Sequence, residues 1–418
     1  MRQRRIIVIG GGAAGMMAAG QAAAAGAQVL LLEKMNRPGR KLAITGKGRC
    51  NLTNIAGIKE FIDHFGPNGR FLRQAFAAFF SPELMAFLEQ QGLELVSERG
   101  GRVFPAGGKA PEVVKAFQQW LRRCGVEIKT SAPVELLLTT KGKISGVLAD
   151  NETLDCDAVI LATGGASYAA TGSSGDGYRL AASVGHTIVP IRPALVPLEI
   201  VDSLTTPMDG LDLRNVNVRL LKNGKRCRQE FGEMSFTKFG VTGPVILTLS
   251  GEAVDGLRSG ATMALSIDLK PALDEQKLEA RLLRDLENRG KEQMDSVLRG
   301  LLPRQMIPVC LQGSDIPADR IAGQLTTKER KRLKTWLKDF RLPISGHRPF
   351  SEAIITAGGV DLKEVDPRTM ESRKAPGLYL AGEVLDIQGD TGGYNLQAAF
   401  STGWLAGRAA AIGPADAD

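Results

Sequence analysis

Near the amino terminus the stretch Val8-Ile-Gly-Gly-Gly-Ala-Ala-Gly-Met-Met17 spaces Gly10, Gly12 and Gly15 as G-x-G-x-x-G. The chemistry this spacing suits is pyrophosphate binding. Gly10 permits a tight turn, Gly12 lets backbone approach a phosphate, Gly15 lets the next helix pack on the sheet, and the first helical N–H groups face the anion. Glu33 stands 18 residues beyond Gly15, with Lys34 beside it, where a carboxylate accepts hydrogen bonds from ribose hydroxyls. An acid there repels a 2′-phosphate, so the fingerprint points to FAD or NAD rather than NADP and does not separate those two. A tightly packed Ala-rich helix would explain the glycines but not Glu33.

The carboxyl-terminal stretch separates them. Gly377-Leu-Tyr-Leu-Ala-Gly-Glu383 reads as a strand ending in Gly382 and Glu383, and Gly392-Gly-Tyr-Asn-Leu396 opens a helix. A carboxylate at Glu383 suits the hydroxyls of a ribityl chain, which NAD lacks. A helix beginning near Gly393 aims its positive end at a ring carbonyl, where a reduced flavin carries negative charge. The plain alternative is a strand and helix that only close the sheet.

Other reactive side chains carry weaker signals. Cys50 lies in a glycine-rich loop, where a small packing role outweighs a redox one, and neither a C-x-x-C pair nor a second mid-chain glycine fingerprint exists. Arg49 suits cofactor or structural duty before catalysis. Tyr168, Tyr394 and His347 are weighed as proton donors and read first as packing or surface residues. His64, His186 and His347 are isolated in sequence, so no metal site is expected.

The elements that must position these groups follow an α/β pattern. Residues 1–190 alternate strands and helices: a buried strand over 5–9, a strand over 28–32, helices over 71–80, 82–91 and 110–123, a hairpin over 134–149, and a buried strand over 157–162 emptying into Thr163-Gly164-Gly165. From about residue 191, prolines and alternating segments indicate antiparallel strands, followed by charged helices that include 326–340. Thr326 and Glu329 there stand at capping-box spacing. The expected division is therefore 1–190, 191–345 and 346–418, with a Rossmann-like α/β pattern at the start and a mixed β and helical insert in the middle, whose strands form a small barrel or sandwich.

The chain has 418 residues, 43% of them hydrophobic, five scattered cysteines and a net charge of +8. It is long enough for two or three domains. No run of 18 apolar residues suggests a span, and the cysteine usage suggests a reducing cytoplasm. The basic run 328–334 reads as a solvated helix face, and basic residues are not interleaved with aromatics, so nucleic acid is not the expected partner.

Longer motifs carry a family resemblance: Gly39-Arg-Lys-Leu-Ala-Ile-Thr-Gly-Lys-Gly-Arg-Cys-Asn-Leu-Thr-Asn54, Ala162-Thr-Gly-Gly165, Phe236-Thr-Lys-Phe-Gly-Val-Thr-Gly-Pro244, Thr356-Ala-Gly-Gly-Val360, Thr369-Met-Glu-Ser372 and Gly392-Gly-Tyr-Asn395. Over nearly its whole length the chain resembles the bacterial flavoproteins grouped with the BaiN and RdsA proteins, to which aminoacetone oxidases are similar. That resemblance implies one discontinuous Rossmann-like FAD-binding domain, 1–190 with 346–418, and an inserted β-barrel plus helical domain between them, and it implies roles residue by residue. Ala14 and the three glycines hold the pyrophosphate and Glu33 the adenosine ribose. Arg40 and Lys41 sit near phosphate and ribose, and Gly46, Gly48, Arg49, Cys50 and Asn51 wrap the middle of the cofactor. Val134 meets adenine through its backbone, Thr163 and Gly164 flank the cofactor, and Glu383, Asn395 and Leu396 serve the ribityl and ring end.

The expected activity is that of an FAD-dependent oxidoreductase on a small molecule, with NADH or NADPH as a transient donor. The substrate type is a conjugated C=C bond in an oxo compound, steroid-like or bile-acid-like. The alternatives are an oxygen-using amine oxidase, a flavin-containing RNA-modifying protein and a noncatalytic flavin-binding partner.

Overall fold

The computed structural model describes residues 3–201 and 204–413. The chain divides into two compact units, Met1–Pro193 with Ala353–Asp418, and Ala194–Glu352. Each has its own apolar core.

The discontinuous unit is built on a parallel five-stranded sheet, ordered Leu378–Leu380, Ala158–Leu161, Arg5–Ile9, Gln28–Glu33, Glu127–Thr130. Strands covered on both faces read as continuous apolar runs, and Ala158–Leu161 is buried at every position. Helix Ala13–Ala24 follows the first strand and helix Tyr394–Ile412 ends the unit. The two lie backbone against backbone, because a Cβ at Gly403 or Gly407 would collide with the carbonyls of Ala14 and Ala18. Small residues are therefore required on both helices. A meander of Val134–Thr140, Lys143–Ala149 and Glu152–Asp155 contains the expected hairpin, turned at Lys141 and Gly142 with φ of +52° and +78°.

One helix differs from expectation. Instead of a single helix over 71–80, a 3-10 segment Gly66–Leu72 leads into helix Arg73–Ala78. The chain then turns extended at Phe79 and Phe80, burying both rings, and the Phe80 N–H bonds Glu83 at 3.0 Å to start the next helix, Ser81–Gln90.

In the second unit, among the described residues, a closed antiparallel barrel runs Leu198–Ile200, Gly240–Thr242, Lys225–Thr237, Asp212–Lys222, Met263–Asp268, Phe340–His347. Helix Pro244–Arg258 and the helices from Glu275 to Lys338 share its core. Helix Thr327–Lys338 carries the expected box, the Glu329 N–H donating to Thr326 Oγ1 at 3.2 Å and the Thr326 N–H to Glu329 Oε2 at 2.8 Å. It stops before Phe340, which pairs with Ile267 as the first residue of the closing barrel strand. Phe340 is thus the start of a strand, Phe340–His347, where the end of a helix over 326–340 was expected, and the unit runs on to Glu352.

Candidate functional site

Of the three glycines of the fingerprint, two are crowded and one is open. Gly10 has φ of +102°, and a Cβ there would lie 2.5 Å from the Ala162 carbonyl oxygen; a Cβ at Gly15 would overlap the Gly10 carbonyl. At Gly12 nothing lies within 4 Å. No side chain caps the helix that Gly12 begins, so its leading N–H groups are left for a partner from outside the helix, next to the open space at Gly12.

Glu33 closes this end. Its carboxylate accepts from the N–H of Gly11 at 2.7 Å and of Met35 at 2.8 Å. Its carbonyl accepts from Ala132 at 3.0 Å, which brings the lead into Val134 alongside. Lys34 bonds Asp176 at 2.5 Å and also Ser174, and it holds the Asp176 carboxyl below its usual range against the opposing effect of burial. Arg40 reaches the Ala170 carbonyl at 3.1 Å and the Asn36 side chain at 3.3 Å.

At the other end, helix Tyr394–Ile412 begins after Gly393, whose φ is +98°; a Cβ there would lie 2.5 Å from the Thr53 carbonyl carbon. The Asn51 amide, oriented to pair donors with acceptors, receives the Gly393 N–H at 3.0 Å and donates to Thr53 at 3.2 Å. The loop before it bends through positive φ at Gly46, Lys47, Gly48 and Cys50. Cys50 is fully buried, and burial pushes its thiol up to about 12, against a lowering bond with Thr45; it stays protonated and unreactive at neutral pH. Arg49 lies outside, paired with Glu98 and over the Phe104 ring at 4.3 Å.

Glu383 joins the loop to the strands. Its carboxylate accepts from Lys41 at 2.7 Å, from Ser167 at 3.1 Å and from the Thr356 N–H at 2.7 Å. Lys41 also donates to Ser167 at 2.7 Å. Lys41 and Glu383, expected along different stretches of a cofactor, therefore touch. Gly164, with φ of +72°, follows Thr163 beside this cluster. Gly382 meets the glycine-loop helix, a Cβ there lying 2.8 Å from Ala14 Cβ.

Asn395, expected to face the cofactor, spends its side chain within the protein. It receives the Gly389 N–H at 2.7 Å and donates to the Gly389 and Asp390 carbonyls at 2.9 and 3.2 Å. Leu396 beside it is half-buried. Tyr394 is buried against Phe61 and His64, and burial first, then Glu60 and Asp390, push its phenol up to about 12. Tyr168 sits in the turn at φ of +54°.

The histidines isolated in sequence each have polar partners in space: His64 with Asp390 at 2.9 Å, His186 with Glu364 and Ser372, and His347, at the end of a barrel strand, with the Arg348 carbonyl. Among the described residues no three His, Cys, Asp or Glu form a metal-holding group. No helix of the described residues is long and apolar enough to cross a membrane. Sequence reasoning missed Ser167, Asp176 and the His64–Asp390 pair. Thr356 was within a quoted motif, but its backbone contact with Glu383 had no linear signal.

Comparison with known proteins gives a consistent family. The model described as HI0933-like protein Rossmann domain matches residues 4–409. The chain is 37% identical to the 3-dehydro-bile acid delta(4,6)-reductase of Clostridium scindens, over 93% of this chain and 94% of that protein. It is 31% identical to the ribosomal RNA dihydrouridine synthase of Escherichia coli, over 90% of each. The 3-ketosteroid delta1-dehydrogenase from Sterolibacterium denitrificans shares the fold with a TM-score of 0.50 at 14% identity, over 99% of this chain and 100% of that one.

Proposed function

The chain belongs to the HI0933-like Rossmann family, and from that membership we propose that it is an FAD-dependent oxidoreductase. In this reading it reduces a C=C bond conjugated to a carbonyl in a steroid-like or bile-acid-like oxo compound, with NADH or NADPH as transient donor. The observation that carries the reading is the 37% identity, over nearly the full length, to a protein named for reduction of such a substrate.

The residues fit the group. The approach over Gly12 and the uncapped helix behind it suit the pyrophosphate. The Glu33 carboxylate, fixed by two N–H groups, keeps lone pairs for ribose hydroxyls. Lys41 and Glu383 present an ammonium and a carboxylate side by side to the middle of the cofactor, with Gly46, Gly48 and Asn51 as backbone around it. The start of helix Tyr394–Ile412, where Asn51 takes the Gly393 N–H and the cap residue itself has no side chain, offers positive potential to the ring end. Bound FAD supplies the hydride chemistry, and the chain supplies orientation and charge.

A second reading has its own support. The relative at 31% identity is named a ribosomal RNA dihydrouridine synthase, and this chain carries a net charge of +8. In uracil, too, the C=C bond that gains two hydrogens is conjugated to a carbonyl, so one site chemistry serves both substrates.

The test is an absorbance spectrum of the purified protein, followed anaerobically on adding NADH, NADPH and then a primary amine. Flavin bands bleached by a reduced nicotinamide support the reductase. Bleaching by the amine alone turns the assignment to an oxidase, and absence of flavin after reconstitution overturns it. Supplying the reduced protein with a 3-oxo-4-ene steroid or with ribosomal RNA, and weighing each product for two added hydrogens, decides between the substrates.

A further inference from the structure

A groove of about 1000 Å³ opens on the discontinuous unit, lined by residues that the functional reading does not use. One wall is helix Ile58–Asp63; the other is the 3-10 segment Gly66–Leu72 running into helix Arg73–Ala78. On the first wall Phe61 turns inward to the Phe76 and Phe80 rings, with centroids 5.3 and 5.0 Å away. That leaves Ile58 with Ile62, and Lys59 with Asp63, each pair one turn apart, along the groove. On the second wall Pro67, Arg70 and Arg73 stand at every third residue and so share one face. The walls are fixed to each other and to the fold. A Cβ at Gly69 would lie 2.1 Å from the Ile62 carbonyl oxygen, so the segments touch backbone to backbone. The Phe65 N–H donates to that same carbonyl at 3.0 Å, and the Asn68 amide donates to the Asp386 carbonyl at 2.8 Å.

The lining is of two kinds. Ile58, Ile62 and Pro67 supply apolar surface, and Ile58 is left 41% exposed. Lys59, Arg70 and Arg73, all exposed, set three positive charges against the one carboxylate of Asp63. Among the described residues the side chains of these three cations have no ion pair and no hydrogen bond. Glu60, the other acid of helix Ile58–Asp63, is not part of the lining and acts instead on the Tyr394 phenol. A small inorganic anion would use the cations and leave the isoleucines in water. A neutral ring system would cover the isoleucines and leave the cations without a counter-charge. A molecule with an apolar body and a negatively charged end uses both.

We propose that this groove is a binding site in its own right for an amphipathic organic acid. The body of the ligand covers Ile58, Ile62 and Pro67, and its carboxylate accepts hydrogen bonds from Arg70 and Arg73, whose planar guanidinium groups match a carboxylate. Lys59, on the opposite wall, adds a third positive charge. A rigid steroid acid and a flexible fatty acid share this chemistry. Binding there calls on no FAD, which sets the groove apart from the functional reading.

The experiment is titration calorimetry of the purified full chain with deoxycholate and with laurate, both below their micellar concentrations, with the neutral steroid androstenedione and with inorganic phosphate. The proteins are the natural chain, the double variant Arg70→Gln/Arg73→Gln and the single variant Ile58→Ser, with melting temperatures measured alongside. The expected result is that a carboxylate binds the natural chain, and that its affinity falls about tenfold in the double variant and less in Ile58→Ser. Added salt should weaken it too. Androstenedione and phosphate should each bind about tenfold more weakly than the carboxylate. The tighter of deoxycholate and laurate tells whether the body is a ring system or a chain. A steroid held at the flavin shows as a second site that shifts the flavin bands and survives the double substitution. Absence of carboxylate binding overturns the proposal, as does an affinity unchanged in the double variant or matched by phosphate. Binding to anionic vesicles without binding of the free acids gives the groove to a membrane surface and overturns it as well. If the double variant does not fold, Ile58→Ser carries the test, and carboxylate affinity unchanged there overturns the proposal. Failure of the natural chain to bind FAD would instead overturn the functional reading and leave these titrations as they are.

Discussion

Two helices begin at the candidate site, and their first turns are built in opposite ways. Helix Ala13–Ala24 starts from Gly12, with ordinary φ of −81° and nothing within 4 Å of a Cβ built there. Helix Tyr394–Ile412 starts from Gly393, with φ of +98° and the Thr53 carbonyl pressed against the Cα. At the first, glycine keeps a surface clear for something outside the chain. At the second, glycine lets the chain fit against itself. In the functional reading, the same residue type at two equivalent helix starts serves binding in one case and folding in the other, so substitutions should separate affinity from stability.

The largest effect is expected at Gly15→Ala, where the new methyl overlaps the Gly10 carbonyl and the helix must leave the sheet. Chemical denaturation should show a loss of about 3 kcal/mol, the upper end for overpacking a core, or no soluble protein. Gly393→Ala adds left-handed strain to a backbone collision and should lose about 2 kcal/mol. Gly12→Ala is the sharpest contrast. Its stability without cofactor should stay within about 0.5 kcal/mol, while FAD affinity, read by fluorescence quenching, falls at least tenfold, or about 1.4 kcal/mol. If Gly12→Ala destabilises as Gly393→Ala does, the comparison is wrong.

Between the two starts lies the Lys41–Glu383 pair, both side chains about four-fifths buried. Glu383→Gln keeps the shape but leaves the Lys41 ammonium facing an amide. A stability loss of about 1.5 to 2 kcal/mol is expected, the lower end for a hydrogen bond to a charged group. FAD affinity should fall in the same variant, because this pair faces the middle of the cofactor in the functional reading. A variant that melts early yet binds FAD as before would confine the pair to folding.

The two ends also differ in how much a linear reading can reach. Gly10, Gly12, Gly15 and Glu33 fall within 24 residues that hold one turn, one helix and one strand, so their spacing carries the geometry directly. The ring end joins Asn51 and Thr53 to Gly393, and His64 to Asp390 across 326 residues, and no local pattern says which distant carboxylate meets which histidine. Asn395 shows the limit from the other side. Its motif marked the right loop, but only the structure shows that the amide is spent on Gly389 and Asp390. In the barrel unit, Trp336, Leu337 and Phe340 continue a helical apolar face in sequence, and pairing of Phe340 with Ile267 overrides that pattern.

The smallest expected effect serves as a control outside both helix starts. His186 has a fully buried side chain; its Nδ1 meets Glu364 at 3.1 Å and its Nε2 receives the Ser372 hydroxyl at 2.7 Å. Ser372 Oγ already accepts the N–H groups of Lys374 and Ala375, so its own hydrogen is directed to Nε2, which fixes the neutral imidazole. Burial pushes the His186 value down from 6.5, outweighing the raising effect of Glu364. The folded chain therefore binds fewer protons than the unfolded chain just below pH 6.5, and stability falls as pH drops through that window. Denaturation midpoints between pH 7.5 and 5.5 should decline in the natural chain and decline less in His186→Gln. Neither helix start lies in this network, so FAD affinity at pH 7.5 should be unchanged in that variant. A loss of affinity there would mean that the segment between Asp361 and Gly377 reaches the ring end through Glu383, and that the second helix start depends on more of the chain than its own glycine.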